Sequence, residues 1–104
     1  MRVRLLEPAS IRIDEIYQFT ADNWGEEQAD AYVAGLFAAI GRLSDGGTAS
    51  RSVPATLGVQ GFYFKYGRHF VYWRRLEDGD IGVVSILHER MQQANRLRED
   101  FGIE

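Results

Sequence analysis

The chain has 104 residues, room for one hydrophobic core, and its 45% hydrophobic and 26% charged content is that of an ordinary globular domain. It has no cysteine, which excludes disulfides, thiolate metal sites and cysteine nucleophiles and fits a reducing cytoplasm. Its formal net charge of −3 speaks against a dedicated nucleic-acid binder, and no apolar run reaches the roughly 20 residues that span a bilayer.

The expected organisation is one domain over residues 1–104, cytoplasmic and without membrane association. Residues 1–8 meet an acid and a proline at once and do not read as a signal peptide. Val3 and Leu5 alternate with Arg2, Arg4 and Leu6, which predicts a short strand. Pro8 ends it and suits the first turn of a helix. Ala9, Ile13, Ile16, Tyr17 and Thr20 then recur at helical spacing as an inner face, with Ile11 and Phe19 lying off it. Asn23, Trp24 and Gly25 break that helix. Ala29, Tyr32, Val33, Leu36, Phe37, Ile40 and Leu43 form one wide apolar stripe of a second helix. Glu26 and Glu27 stand in its first turn, where the helix dipole favours acids. Two helices joined by a short turn form an antiparallel hairpin.

Residues 44–56 are rich in Gly, Ser, Thr and Pro and read as a loop. Phe62, Phe64 and Tyr66 alternate with Tyr63 and Lys65, then Gly67-Arg68 turns the chain. His69, Val71 and Trp73 alternate with Phe70, Tyr72 and Arg74. Glu77-Asp78-Gly79-Asp80 signals a second hairpin turn. Ile81, Val83, Ser85 and Leu87 alternate with Gly82, Val84, Ile86 and His88, completing a three-stranded meander. A last helix over about residues 90–101 carries Met91, Ala94, Leu97 and Phe101 inward, with Gly102 as its stop. The predicted order is βααβββα. This is an α+β domain with a helical hairpin packed on a small antiparallel β-sheet, the first strand pairing at an edge.

Charge is unevenly spread. Residues 1–50 carry four arginines against eight acids, and residues 51–104 carry eight bases against seven acids. Lys65, Arg68, Arg74 and Arg75 fall within residues 65–75, where there is no acid. Eleven of the twelve bases are arginine, which suits bidentate contacts with carboxylates and phosphates, although codon bias gives the same count.

Two histidines and scattered acids give no metal-ligand spacing, and no phosphate-binding loop or nucleophile elbow is present. No metal and no cofactor are expected. Arg68, His69, Arg74, His88 and Arg90 are the richest cluster. An RNase needs a base, an acid and cations for the developing phosphorane charge. Arg68, His88 and Arg90 would be that set. The structural alternative is that His88 anchors the strand-to-helix junction. The aromatic run of Phe62, Tyr63, Phe64, Tyr66, Phe70, Tyr72 and Trp73 divides between core and an apolar surface for a partner helix.

Several pieces together resemble a known family. The helices read Ala9-x-x-x-Ile13-x-x-Ile16-Tyr17 and Trp24-Gly25-x-x-Gln28-Ala29-x-x-Tyr32-x-x-x-Leu36. The sheet reads Gly61-Phe62, Gly67-Arg68-His69-x-x-Tyr72-x-Arg74 and Ile86-Leu87-His88-x-Arg90-Met91. Over about residues 3–92 this resembles the ParE branch of the RelE/ParE toxins of type II toxin–antitoxin systems. Arg12, Tyr63, Trp73 and Gln92 depart from the pattern. The resemblance implies a protein-binding toxin rather than an enzyme, held by a ParD-like ribbon-helix-helix antitoxin and poisoning DNA gyrase, without sequence-specific nucleic-acid binding. The alternatives are a RelE-like ribosome-dependent endoribonuclease and a decayed interaction module. The expected partner-facing residues are Lys65, Arg68, Tyr72, Arg74, Arg75, His88, Arg90 and Met91.

Overall fold

A computed structural model describes residues 2–102. β1 (Val3–Leu5) leads into α1 (Glu7–Trp24), with Pro8 in its first turn, where a missing N–H costs nothing. Gly25 alone joins α1 to α2 (Glu26–Gly41). Its φ of 94° lies where a side chain is strained. In that conformation its N–H donates to the Ala21 carbonyl and its carbonyl accepts the Ala29 N–H, so one residue closes both helix ends. Ala9, Ile13 and Ile16 of α1 meet Leu36, Ala39 and Ile40 of α2 in the main core. Phe37, expected on the inner stripe, is 44% exposed, because the stripe is wider than the contact with α1 and the sheet.

The glycine-rich stretch is more structured than its composition predicts. A 3-10 turn (Arg42–Asp45), β2 (Arg51–Ser52) and a second 3-10 turn (Ala55–Leu57) lie in it. Two strand residues carry no periodicity that a sequence pattern can reveal. β3 (Phe62–Tyr66), β4 (His69–Arg75) and β5 (Ile81–His88) form the expected meander. The sheet has five strands in the order β1-β5-β4-β3-β2. It is mixed, not purely antiparallel, since β1 runs parallel to β5, with Val3 opposite Ile81 and Leu5 opposite Val83. A three-residue strand holds no directional signal, so its orientation was not legible.

The strict alternation expected along β5 also fails. Tyr72 pairs with Ser85 but Trp73 pairs with Val83, leaving Val84 as the extra residue of a β-bulge. Ile81, Val83 and Ile86 therefore face the helical hairpin, while Leu87 faces the opposite side. There α3 (Gln93–Asp100) seals a second core of Val53, Val59, Tyr72, Leu87 and Leu97. α3 starts later than the predicted residue 90. The Met91 N–H donates to the His88 carbonyl, and Gln93 Nε2 donates to both the His88 and Met91 carbonyls. These bonds make residues 89–92 a turn. Met91, expected on the inner face of that helix, is 39% exposed instead.

Leu36 is fully buried at the centre of the main core. Leu36→Ala should cost roughly 2–5 kcal/mol of unfolding free energy in urea titration. A loss under about 1 kcal/mol would mean that the site collapses without a cavity.

Candidate functional site: a groove beside the helical hairpin

An open groove of about 1200 Å³ lies between α1, the start of α2, the β3–β4 turn and the segment after β5. Its back wall is built around Tyr32. The Tyr32 hydroxyl accepts the Arg68 N–H at 3.2 Å and stands 3.1 Å from the Tyr66 carbonyl and 2.7 Å from His69 Nδ1. Donation of its single proton to Tyr66 leaves the His69 hydrogen on Nδ1. Gly67 permits this approach: its φ is 56°, and an added Cβ would sit 2.6 Å from the Tyr32 oxygen. The α2 helix thus pins the β3–β4 turn from below.

His69 and His88 are cross-strand partners, with ring centroids 5.2 Å apart and planes nearly perpendicular. Burial pushes His69 down from 6.5 to about 4, and the neighbouring His88 adds to this. His88 Nδ1 accepts the Arg90 N–H at 3.1 Å, which is the anchoring contact at the end of β5. Glu89 receives Lys65 Nζ at 2.9 Å and Arg68 Nη1 at 3.3 Å. The Lys65 hydrogen bond, and then the charges of Lys65 and Arg68, hold its carboxyl below its usual value.

Below the groove, Arg12 donates through Nε and Nη2 to the two oxygens of Asp100, each at 3.0 Å. The hydroxyl of buried Ser85 donates to the same carboxylate at 2.6 Å. The hydrogen bond to Asp100 is the main reason that the Arg12 pKa rises. The three residues tie α1, β5 and α3 together.

The sequence-predicted residues separate into groups. Arg68, His88, Arg90 and Met91 all line the groove. Lys65 leaves β3 on the opposite face of the sheet, where its ammonium lies 5.5 Å from the Phe70 ring centroid. Tyr72 is only 3% exposed and donates its hydroxyl to Gln93 Oε1 at 2.7 Å, so it anchors α3 from within the core. Burial raises its pKa to about 12. Arg74 and Arg75 stand at the far end of β4, and among the described residues neither is ion-paired with Glu77 or Asp78. Asp78 instead receives Arg4 at 3.1 Å, and Arg75 lies 5.8 Å from the Trp73 ring centroid. The 65–75 cationic stretch is therefore not one surface.

Sequence reasoning missed Phe19, Trp24, Tyr32 and Arg96, which also line the groove. Phe19 and Trp24 are 59% and 66% exposed and meet edge to face with centroids 6.0 Å apart. Their signal was present: Phe19 lies off the inner face of α1, and an aromatic there has no core to fill. Among the described residues no group of three His, Asp or Glu comes together as a metal cage.

The buried imidazole has a consequence for stability. His69 binds a proton near pH 6.5 when unfolded but only near pH 4 when folded. Between these values the unfolded state holds more protons, so stability falls as pH drops through that window. Urea midpoints measured from about pH 7 to about pH 5 should fall more steeply for the native chain than for His69→Gln. Parallel slopes would mean that His69 titrates normally.

The family described as "ParE toxin of type II toxin-antitoxin system, parDE" matches residues 3–93. A protein named Toxin ParE1, from two strains of Mycobacterium tuberculosis, is 34% identical over 96 residues, covering 89% of this chain and 95% of its own. A chain from the solved chromosomal ParDE toxin–antitoxin system of P. aeruginosa has the same fold. Its TM-score is 0.65 at 20% identity, covering 85% of this chain and 95% of the other. The chain belongs to the ParE toxin family of type II toxin–antitoxin systems.

Proposed function

We propose that this toxin acts by binding protein, that its antitoxin neutralises it by occupying the hairpin groove, and that DNA gyrase is its target. One observation carries the groove assignment. Phe19, Trp24 and Met91 stand exposed around a concavity whose rim holds Arg68, Arg90 and Arg96. Exposed aromatics beside a groove give up hydrophobic stabilisation that the fold does not recover. An amphipathic helix with acidic flanks would cover the aromatics and pair with the arginines. A ribbon-helix-helix antitoxin of ParD type is the proposed source of that helix. Tyr72, being buried, supports the groove only indirectly, and Lys65, Arg74 and Arg75 lie outside it.

The proposal of gyrase as target rests on family membership together with a groove that offers contacts rather than a complete acid–base set. A second reading has its own support. Arg68, His88 and Arg90 line one groove, as a ribonuclease of RelE type would require. The two are separated by assaying purified toxin on gyrase supercoiling and on ribosome-bound message. The gyrase reading expects loss of supercoiling with intact message. Message cleavage abolished by His88→Ala, with supercoiling untouched, would replace it.

Trp24→Ala should weaken antitoxin binding by at least about 30-fold in titration calorimetry, the loss typical of an aromatic hot spot of about 2 kcal/mol. Its thermal midpoint should stay near that of the native chain, since the ring is 66% exposed. Unchanged affinity would remove Trp24 from the interface.

A further inference from the structure

Residues 46–76 contain five cations and no acid, so with a total charge of −3 the rest of the chain carries −8. This segment forms β2, β3 and β4, three of the five strands of the sheet. Glu89 takes up Lys65 and Arg68. Arg51, Arg74 and Arg75 remain exposed, and their side chains make no hydrogen bond or ion pair to any described residue. Arg51 sits on the edge strand opposite Tyr63, and Arg74 sits two strands away beside Gly61. Arg75 follows on the other face, over Trp73. These three cations stand around one corner of the sheet, beside the turn that carries Glu77, Asp78 and Asp80, of which Asp78 and Asp80 meet Arg4. This corner lies six residues along β4 from His69 in the groove wall, roughly 20 Å.

We propose that Arg51, Arg74 and Arg75 form a docking strip for the phosphate backbone of duplex DNA, without sequence preference. The inference goes beyond the groove and its antitoxin. The buried centre of a protein interface is more apolar than its rim. Among the described residues the exposed large hydrophobics are Ile11, Phe19, Trp24, Phe37 and Met91, and none belongs to residues 46–76. A phosphate backbone needs no such centre, because arginine forks meet its oxygens directly. Single strands are held by stacking on exposed aromatics. Every aromatic of residues 46–76 is buried or half-buried. From β2 to β4 the strip spans about 10 Å, a length over which B-DNA presents about six charges. The acidic remainder of the molecule keeps the contact weak and confined to this corner. The competing roles require no ligand: Arg51 blunts the edge strand against aggregation, and Arg74 and Arg75, on the central strand β4, are solvated charges at its end.

The test uses the full chain and a labelled duplex of arbitrary sequence, read by fluorescence anisotropy. Three phosphate contacts give a log–log salt slope of about −2.7, so affinity should fall roughly 40-fold between about 50 mM and about 200 mM salt. The combined variant Arg51→Gln, Arg74→Gln, Arg75→Gln should lose this binding while its unfolding midpoint stays unchanged. Arg90→Gln, on the groove side, should bind duplex as the native chain does. Absence of binding at the lower salt, or equal binding by the triple variant, would leave these arginines as solvated surface charges. Equal displacement by polyglutamate would assign the strip to an acidic protein segment instead. Equal affinity for a single strand of RNA would overturn the duplex assignment.

Discussion

β5 is buried along every residue except His88, and the rest of the molecule is arranged around it. β1 and β4 flank it, the helical hairpin covers one face and α3 covers the other. A strand enclosed on both faces must be apolar throughout, which its run of Ile, Val and Leu supplies. The bulge at Val84 then decides which residue faces which core. Without it, Ile86 and His88 would point toward α3 and Leu87 toward the hairpin. With it, His88 comes beside His69, whose Nδ1 meets the Tyr32 hydroxyl, and the groove acquires its polar wall. One inserted residue sets both the packing and the chemistry.

β1 pairs with β5 only as far as Val83, and the Leu6 N–H extends this by one bond to the Val83 carbonyl. Beyond that point α1 and α3 take over, joined by the Arg12–Asp100 pair with Ser85 beneath. The arrangement is favourable because the carboxylate is met by two guanidinium nitrogens and a hydroxyl. A half-broken version would leave a part-buried charge without its partner, which is destabilising. Arg12, which departs from the sequence pattern expected by resemblance, has a structural task in this pair. Phe19 and Trp24 are the opposite case. Apart from their edge-to-face contact with each other they stand exposed, which fits a surface that a partner covers.

Long periodic segments were legible because their signal repeats. The stripe from Ala29 to Leu43 and the alternation from Phe62 to Trp73 each repeat a spacing several times, and both emerged as elements in place. What failed had no repetition. β1 and β2 are three and two residues long, so their direction and existence depend on partners far along the chain. The Val84 bulge leaves an unbroken apolar run, in which one inserted residue is invisible. Met91 was placed inward by helical spacing, but the His88 and Gln93 hydrogen bonds delay the helix past it. The candidate site was half legible for a related reason. Arg68, His88 and Arg90 stand in recognisable motifs, while Trp24 and Tyr32 reach the groove only through the turn at Gly25. The cationic stretch near Arg74 was visible as composition, but its division between Glu89-bound and unpaired residues depends on tertiary contacts.

The central claim is that the concavity between the hairpin and the end of β5 is the working surface of this toxin. Amide hydrogen exchange of the free chain and of its complex with the cognate antitoxin tests it most directly. Added protection is expected in residues 19–32, 66–70 and 88–92, with the β2 edge exchanging as before. Protection confined to β2 and β3, with the groove segments unchanged, would contradict it.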